Sequence, residues 1–294
     1  MIIRFSFLIA LLLSLWSLAS AQQISRERII ESLEKDGCVT LEKSKVKICK
    51  YDYSSEGNTV EAVSFQPLDK GLFPGLLLIP GYQGSATVYL PLAIVLAQQG
   101  FASLSVAQPG FGKSQGKPDF VGPHTIKALT KGFKKFQREP YVDKNNMGIF
   151  GGSRGAMAAA LMTVRLNDVK AAVFAAGIYD FKKAYDEIKI EGIRENMLAE
   201  TRMTTEAIKQ RSSILQMQKL NCPVLILHGE KDENVPVSQA VLLRDRLLEL
   251  KKDFEIELFP NAKHDLPGTV LASSINFFSR RLKGVPAKDI PKFR

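Results

Sequence analysis

Cysteine and histidine are both scarce in this chain of 294 residues, with three of each. No Cys-x-x-Cys spacing occurs and no cysteine clusters with a histidine. Nothing therefore points to a structural or catalytic metal, and no metal or organic cofactor is expected. Internal repeats, low-complexity tracts and nucleic-acid-binding motifs are also missing. Acidic residues are outnumbered, 30 against 40 basic, for a net charge of +10. The basic residues are spread out, with local density in "KGFKKFQREP" and in the tail "SRRLKGVPAKDIPKFR". The two phenylalanines of the first stretch sit at helical spacing that faces a core, so solvated basic faces are expected and no nucleic-acid partner.

Long apolar runs are lacking too, apart from one at the N-terminus. Met1 to Arg4 carries one cationic side chain, Phe5 to Leu18 is mostly apolar, and Ala19-Ser20-Ala21 precedes polar Gln22. This is the pattern of a secretory signal peptide over residues 1–21, cleaved after Ala21. The run is shorter than the ~20 residues a helix needs to cross a bilayer. The expected product is a secreted or periplasmic protein with no stable membrane insertion after cleavage. Cys38 and Cys49 bracket "VTLEKSKVKI", which suggests a short hairpin. In an oxidising compartment the two can bridge, and the sequence leaves open whether they do. Cys222 begins an apolar strand and is expected in the core.

What remains is ordinary globular sequence, 45% hydrophobic and 24% charged, enough for one large domain with a sizeable core. Ser25 to Glu34 has helical pattern with Ser25 as N-cap. Two strand-like segments follow, "CVTLEKSKVKICKYDY" and "TVEAVSFQP". From there strands and helices alternate. The strands are "GLLLIPGY", "FASLSV", "NMGIFG", "VKAAVFAAG", "PVLILHG" and "FEIELFP". The helices are expected over 87–99, 125–137, 154–166, 238–251 and 269–282. Near-continuous apolar strands between helices predict an α/β fold: a mostly parallel central sheet with helices on both faces. Residues 181–220 break the rhythm. They are charged and helix-favouring, too long for an ordinary connection, and predict a small helical cap insertion beside a site. The expected organisation is an N-terminal helix and hairpin extension at 22–58, a catalytic domain at 59–284 and a basic tail at 285–294.

The stretch "GIFGGSRGAM" places Ser153 between glycines, directly after a strand and directly before a helix. Gly151-x-Ser153-x-Gly155 fits a nucleophile elbow, where the turn is too tight for a Cβ at either glycine. A serine hydroxyl needs a base, and the base needs a third group to hold its tautomer. For this architecture the chain order is serine, acid, histidine. His264, in "FPNAKHDL" after the last strand, is the expected base. His228 ends a buried strand and is expected to be structural, and His124 opens a helix. "LILHGEKDENVPV" offers Glu230, Asp232 and Glu233 as acids, of which Asp232 is best placed beneath His264. Asp180 is the next choice, and Asp265 is too close in sequence to His264 to meet it well. The oxyanion of an attacked carbonyl needs two donors. These are expected from the backbone of Arg154 and from the loop after "GLLLIP", at Tyr82 or Gln83, where Gly81 and Gly84 permit close approach.

With those residues, the chain resembles the α/β-hydrolase superfamily over about Thr59 to Leu282. The closest likeness is to the prolyl oligopeptidase-like and dienelactone hydrolase-like serine hydrolases. The resemblance rests on "GIFGGSRGAM", "PVLILHGEKDENVPVSQAVLLRDRL", "FPNAKHDL" and "QPGFGKSQGKPDF". It implies the α/β-hydrolase fold, a Ser153–Asp232–His264 triad and a contribution of the Tyr82 hydroxyl to the oxyanion hole. Oligopeptidases of that group usually carry a large N-terminal propeller, for which residues 22–58 leave no room. The oxyanion loop reads "PGYQG" in place of the lipase-like "HGGG". Ser153 excludes enzymes that need an aspartate nucleophile. The expected activity is hydrolysis of acyl esters of small molecules, with amides or short peptides second. Acyl transfer on the same triad and a non-catalytic binding protein are the alternatives.

Overall fold

The computed structural model describes residues 25–286. The expected signal peptide lies outside the described residues, as does most of the basic tail. Helix α1 (Arg26–Asp36) starts at Ser25, whose side chain accepts from the Arg28 N–H, and ends on left-handed Gly37. Strands β1 (Cys38–Leu41) and β2 (Val46–Lys50) form the expected hairpin around a 3-10 turn, Glu42–Ser44. Cys38 and Cys49 face each other across it and form a disulfide.

The segment "TVEAVSFQP" is not one strand but two. A small separate hairpin pairs β3 (Tyr53–Ser55) with β4 (Asn58–Val60), and β5 (Ala62–Pro67) enters the main sheet. The break falls at Glu61, whose N–H donates to Ser114 Oγ at 2.8 Å instead of to a neighbouring strand. The remaining strands are β6 (Phe73–Ile79), β7 (Ala102–Val106), β8 (Val142–Gly152), β9 (Val169–Ala175), β10 (Val224–Gly229) and β11 (Phe254–Phe259). The nine-stranded sheet runs β1-β2-β5-β7-β6-β8-β9-β10-β11. It is antiparallel as far as the β5–β7 pair and parallel from β7 to β11.

Strand β6 shows why both faces are covered. Leu77 and Ile79 belong to one apolar cluster, Leu76 and Leu78 to another. The alternation of successive side chains across a strand feeds two cores at once. Helices α3 (Pro123–Phe136), α4 (Arg154–Thr163) and α8 (Ser238–Glu249) cover the first face. Helices α1, α2 (Leu90–Gln98) and α9 (Thr269–Lys283) cover the second. Helix α2 begins three residues later than its pattern suggests, because Ser85 to Leu90 is taken up by turns. Residues 181–220 hold α5 (Phe181–Glu187), α6 (Glu191–Thr201), α7 (Thr205–Arg211) and a 3-10 segment, Ser213–Lys219. No helix among the described residues is long and apolar enough to cross a membrane.

Helix α4 lies so close to the sheet that a Cβ on Gly155 would stand 1.9 Å from the Ile79 carbonyl oxygen. Gly155→Ala should therefore cost about 3 kcal/mol or more. Gly192→Ala, in a helix with nothing within 4 Å of the new methyl, should stabilise by about 0.5 to 1 kcal/mol. Urea denaturation of the two variants reads the contrast. The disulfide joins positions 11 apart in sequence. A loop of that size implies a loss of roughly 2 to 3 kcal/mol on Cys38→Ser/Cys49→Ser substitution, measurable in the same titration.

Candidate active site

Four strand ends meet at one rim of the sheet. β8 delivers Ser153, β6 delivers Gly81 and Tyr82, β10 delivers Asp232 and β11 delivers His264. This is the carboxyl edge, where open α/β sheets present their sites. Ser153 stands between β8 and α4 with φ 54° and ψ −122°, a conformation that is costly for any residue with a Cβ. The strain is held by close packing on both sides. A Cβ on Gly151 would lie 2.2 Å from the Gly155 carbonyl oxygen, and the Ser153 N–H is bonded to the Ala175 carbonyl at 2.7 Å. The two glycines therefore do what their spacing predicted: strand and helix backbones touch through them.

His264 Nε2 is 2.8 Å from Ser153 Oγ, and His264 Nδ1 is 2.8 Å from Asp232 Oδ2. A carboxylate only accepts, so Nδ1 carries the proton. In the neutral ring Nε2 is then left as an acceptor for the serine hydroxyl. The Asp232 side chain is fully buried, while His264 remains partly exposed. Asp232 Oδ1 accepts from the N–H groups of Asn234 and Val235, both at 2.9 Å. Burial by itself would push the Asp232 carboxyl up. Hydrogen bonds from His228 and His264, and from the Val235 N–H, outweigh it and hold the group well below the usual carboxylate range. The loops after β10 and β11 are pressed together: a Cβ on Gly229 would meet the Lys263 carbonyl oxygen at 2.3 Å.

The other sequence candidates are placed elsewhere. Asp180 is the N-cap of α5 and accepts from the Lys183 N–H at 3.0 Å. Asp265 is exposed on the rim of an opening beside His264. His124 is exposed and pairs with Glu56, whose hydrogen bond raises its pKa. His228 is buried, as expected, but it is not remote. Its Nε2 lies 2.9 Å from the Val235 carbonyl oxygen and 3.4 Å from Asp232 Oδ2. Both neighbours are acceptors, so Nε2–H points into the carboxylate's surroundings. The "LHGEKDENV" spelling was the available signal, since it puts His228 and Asp232 four residues apart across the Gly229 turn.

Arg154 opens α4, and the first N–H groups of a helix have no partner within it. The Gly81 backbone comes close enough to Ser153 that a Cβ would sit 3.1 Å from the serine Cβ. Gly81 to Gly84 is a turn, with the Gly84 N–H on the Gly81 carbonyl at 3.2 Å. Gly84 packs on Pro80, where a Cβ would come within 2.5 Å. Gln83 is exposed at φ 56°, and the half-exposed Tyr82 ring packs edge-on against Phe111 at 5.2 Å. Gln108, which the sequence did not single out, donates to the Pro80 carbonyl at 2.8 Å and anchors this loop from below.

A cavity of 580 Å³ opens beside Ser153, bounded by Tyr82, Phe120, Ile178, Ile190, Ile193 and Val235. Ile190 and Ile193 belong to the start of cap helix α6. The Arg154 side chain also borders it and makes a two-pronged ion pair with Glu200 of α6, at 3.0 and 2.7 Å. Glu200 is a neighbour of the site that a sequence reading has no means of selecting among the many cap carboxylates.

A model of the prolyl oligopeptidase family matches residues 119–284, more than half of the chain. The uncharacterized peptidase YtmA of Bacillus subtilis (strain 168) is 29% identical over 227 residues, covering 76% of this chain and 88% of that protein. The uncharacterized peptidase YuxL of the same organism is 28% identical over 183 residues, 60% of this chain and 28% of its own length. Among solved structures, a Pyrococcus horikoshii acylaminoacyl peptidase superposes with TM-score 0.72 at 18% identity, over 81% of this chain and 42% of that one. Acetyl xylan esterase 1 from Thermoanaerobacterium sp. superposes with TM-score 0.69 at 15% identity, over 80% and 83% of the two chains. The chain thus spans under half the length of YuxL and of the acylaminoacyl peptidase. The two superpositions show the α/β-hydrolase fold. With a family model that matches more than half of the chain and includes Ser153, Asp232 and His264, the chain belongs to the prolyl oligopeptidase family.

Proposed function

We propose that this protein is an exported serine hydrolase that cleaves acyl esters of small molecules by an acyl-enzyme route. One observation carries the reading: the continuous relay from Ser153 Oγ through His264 to Asp232, with both hydrogen bonds at 2.8 Å. Ser153 Oγ attacks the carbonyl carbon while His264 Nε2 takes its proton. Asp232 keeps Nδ1 protonated and stabilises the imidazolium as it forms. The Arg154 N–H and the Tyr82 side of the Gly81 loop receive the oxyanion. His264 returns the proton to the departing alcohol, and the acyl group remains on Ser153. Water, deprotonated by His264, then attacks the ester and frees the acid and the serine.

Short peptides or amides are the second reading, favoured by the curated relatives, which are named as peptidases. The chemistry is shared, with His264 protonating a departing amine in place of an alcohol. Export rests on the N-terminal sequence pattern, supported by the Cys38–Cys49 disulfide, a bond that persists in oxidising compartments.

A fluorophosphonate probe should label Ser153 in the native protein. Ser153→Ala should lose the label and lower ester turnover by roughly 10⁶. A folded native protein that stays unlabelled and inactive on esters and amides alike would leave a binding role. A panel of chromogenic esters beside aminoacyl and prolyl amides separates the two hydrolytic readings, and added alcohols detect acyl transfer. Because the Asp232 carboxyl is held below its ordinary value, its stabilising effect is complete above about pH 4 and is lost as the pH falls below that range. Urea titrations should find native protein more stable than Asp232→Asn at neutral pH, with the difference shrinking as the solution is acidified.

A further inference from the structure

The cap is joined to the elbow by charge, at the residue next to the nucleophile. Arg154 carries a guanidinium that is 4% exposed, and its partner Glu200 is 11% exposed. The guanidinium lies between two aromatic rings, 4.8 Å from the Phe111 centroid and 4.5 Å from that of Phe120. Glu200 also accepts the backbone N–H of Phe120. The Phe120 carbonyl is taken by Arg211 of α7, at 3.0 Å. Phe120 has φ 43° and the next residue, Val121, has φ 60°, left-handed values that neither side chain favours. Two cap residues therefore grip both polar groups of a strained peptide segment, and that segment presents the Phe120 ring to the cavity beside Ser153. The same carboxylate fixes the cavity's floor through Arg154 and its wall through Phe120. Its roof is the start of the helix to which that carboxylate belongs.

The lining explains what such a compartment is for. Apart from Ser153, His264 and the Tyr82 hydroxyl it is mainly aliphatic and aromatic, with Asn196 and Asn234 as its other neutral polar groups. Among the described residues its lining contains no carboxylate, and Glu200, the partner of Arg154, is already committed to that guanidinium and to the Phe120 N–H. A substrate ammonium placed there would lose its water and meet a guanidinium with no free counter-charge. An uncharged hydrocarbon chain would lose nothing comparable and would bury apolar surface.

We propose that Glu200 is a specificity-determining residue: by fastening cap helix α6 to Arg154 and Phe120 it holds, beside Ser153, a compartment for an uncharged, apolar acyl group. The inference rests on the hydrolase reading above and adds a substrate class to it. Glu200 touches no reacting atom and acts by positioning.

The test compares p-nitrophenyl acetate, octanoate and 8-aminooctanoate on the purified protein, with fluorophosphonate labelling of Ser153 run alongside. The native protein should favour octanoate over acetate by at least about tenfold in kcat/KM, consistent with a few buried methylenes. The 8-aminooctanoate ester, equally long but cationic, should do no better than acetate. In Glu200→Gln the octanoate-to-acetate ratio should fall at least about tenfold, chiefly through KM for octanoate. Loss of folded protein alone would lower both rates together and leave the ratio unmoved. Glu200→Asp keeps a counter-charge for Arg154 if Glu200→Gln does not fold. Its shorter reach should lower the ratio by a smaller factor. An unchanged ratio in either folded variant overturns the role of Glu200, and a native protein without octanoate preference overturns the compartment. Absence of labelling and of all ester turnover would instead sink the hydrolase reading itself.

Discussion

The close approach of two backbones at Gly151 and Gly155 is the constraint on which the rest depends. A Cβ on Gly155 would meet the Ile79 carbonyl oxygen of β6 at 1.9 Å, and one on Gly151 would meet the Gly155 carbonyl oxygen at 2.2 Å and drive strand β8 and helix α4 apart. Their contact is what forces Ser153 into φ 54°, ψ −122° and turns its hydroxyl toward the imidazole. A strained residue of this kind costs on the order of 1 to 3 kcal/mol and persists only where its surroundings over-determine it. Here the surroundings are the center of the parallel sheet, with β6 on one side of β8 and β9 on the other. The middle of the sheet thus holds a strained residue, and the helix that leaves it opens with N–H groups that favour negative charge nearby.

Around that fixed point the charges are arranged by burial. Asp232 is sealed from solvent yet ionised, because two histidines and two backbone N–H groups surround it. His228 sets a second imidazole 3.4 Å from the acid, while His264 stays partly exposed. Arg154 and Glu200 repeat the principle across the cap. A buried ion pair gains little over a well-packed apolar pair, but removing one partner typically costs about 3 to 5 kcal/mol because the other charge is stranded. The pair is a directional contact between the cap and the elbow. The cap helices have no strand to register them, so a directional contact is needed where apolar packing alone would tolerate sliding.

The strand and helix succession was legible because central strands such as β6, β7 and β10 are buried on both faces and helices such as α3 and α9 carry one apolar stripe. Where local chemistry competed with pattern, the boundaries moved. Glu61 gave its N–H to Ser114, and a single expected strand became the end of a small hairpin and a strand of the main sheet. Ser85 to Leu90 formed turns before α2 could begin. The Cys38–Cys49 pair was undecided in the sequence, since two cysteines on a suspected hairpin bridge only in the register that sets them opposite, and register is a property of the pairing.

The sequence by itself determined the α/β class, the elbow at Ser153 and the candidates His264 and Asp232. Each of these is encoded within a few residues, by period, by glycine spacing or by position after a strand. Only the tertiary structure decided that His228 sits against Asp232 and that Asp180 serves as a helix cap. It also selected Glu200, out of all the acids in the insertion, to meet Arg154 and the Phe120 backbone. The Glu200 contacts join segments 46 and 80 residues apart in sequence. Their existence depends on how helices without strand register settle against the sheet, a three-dimensional choice made by packing and desolvation that no local pattern records.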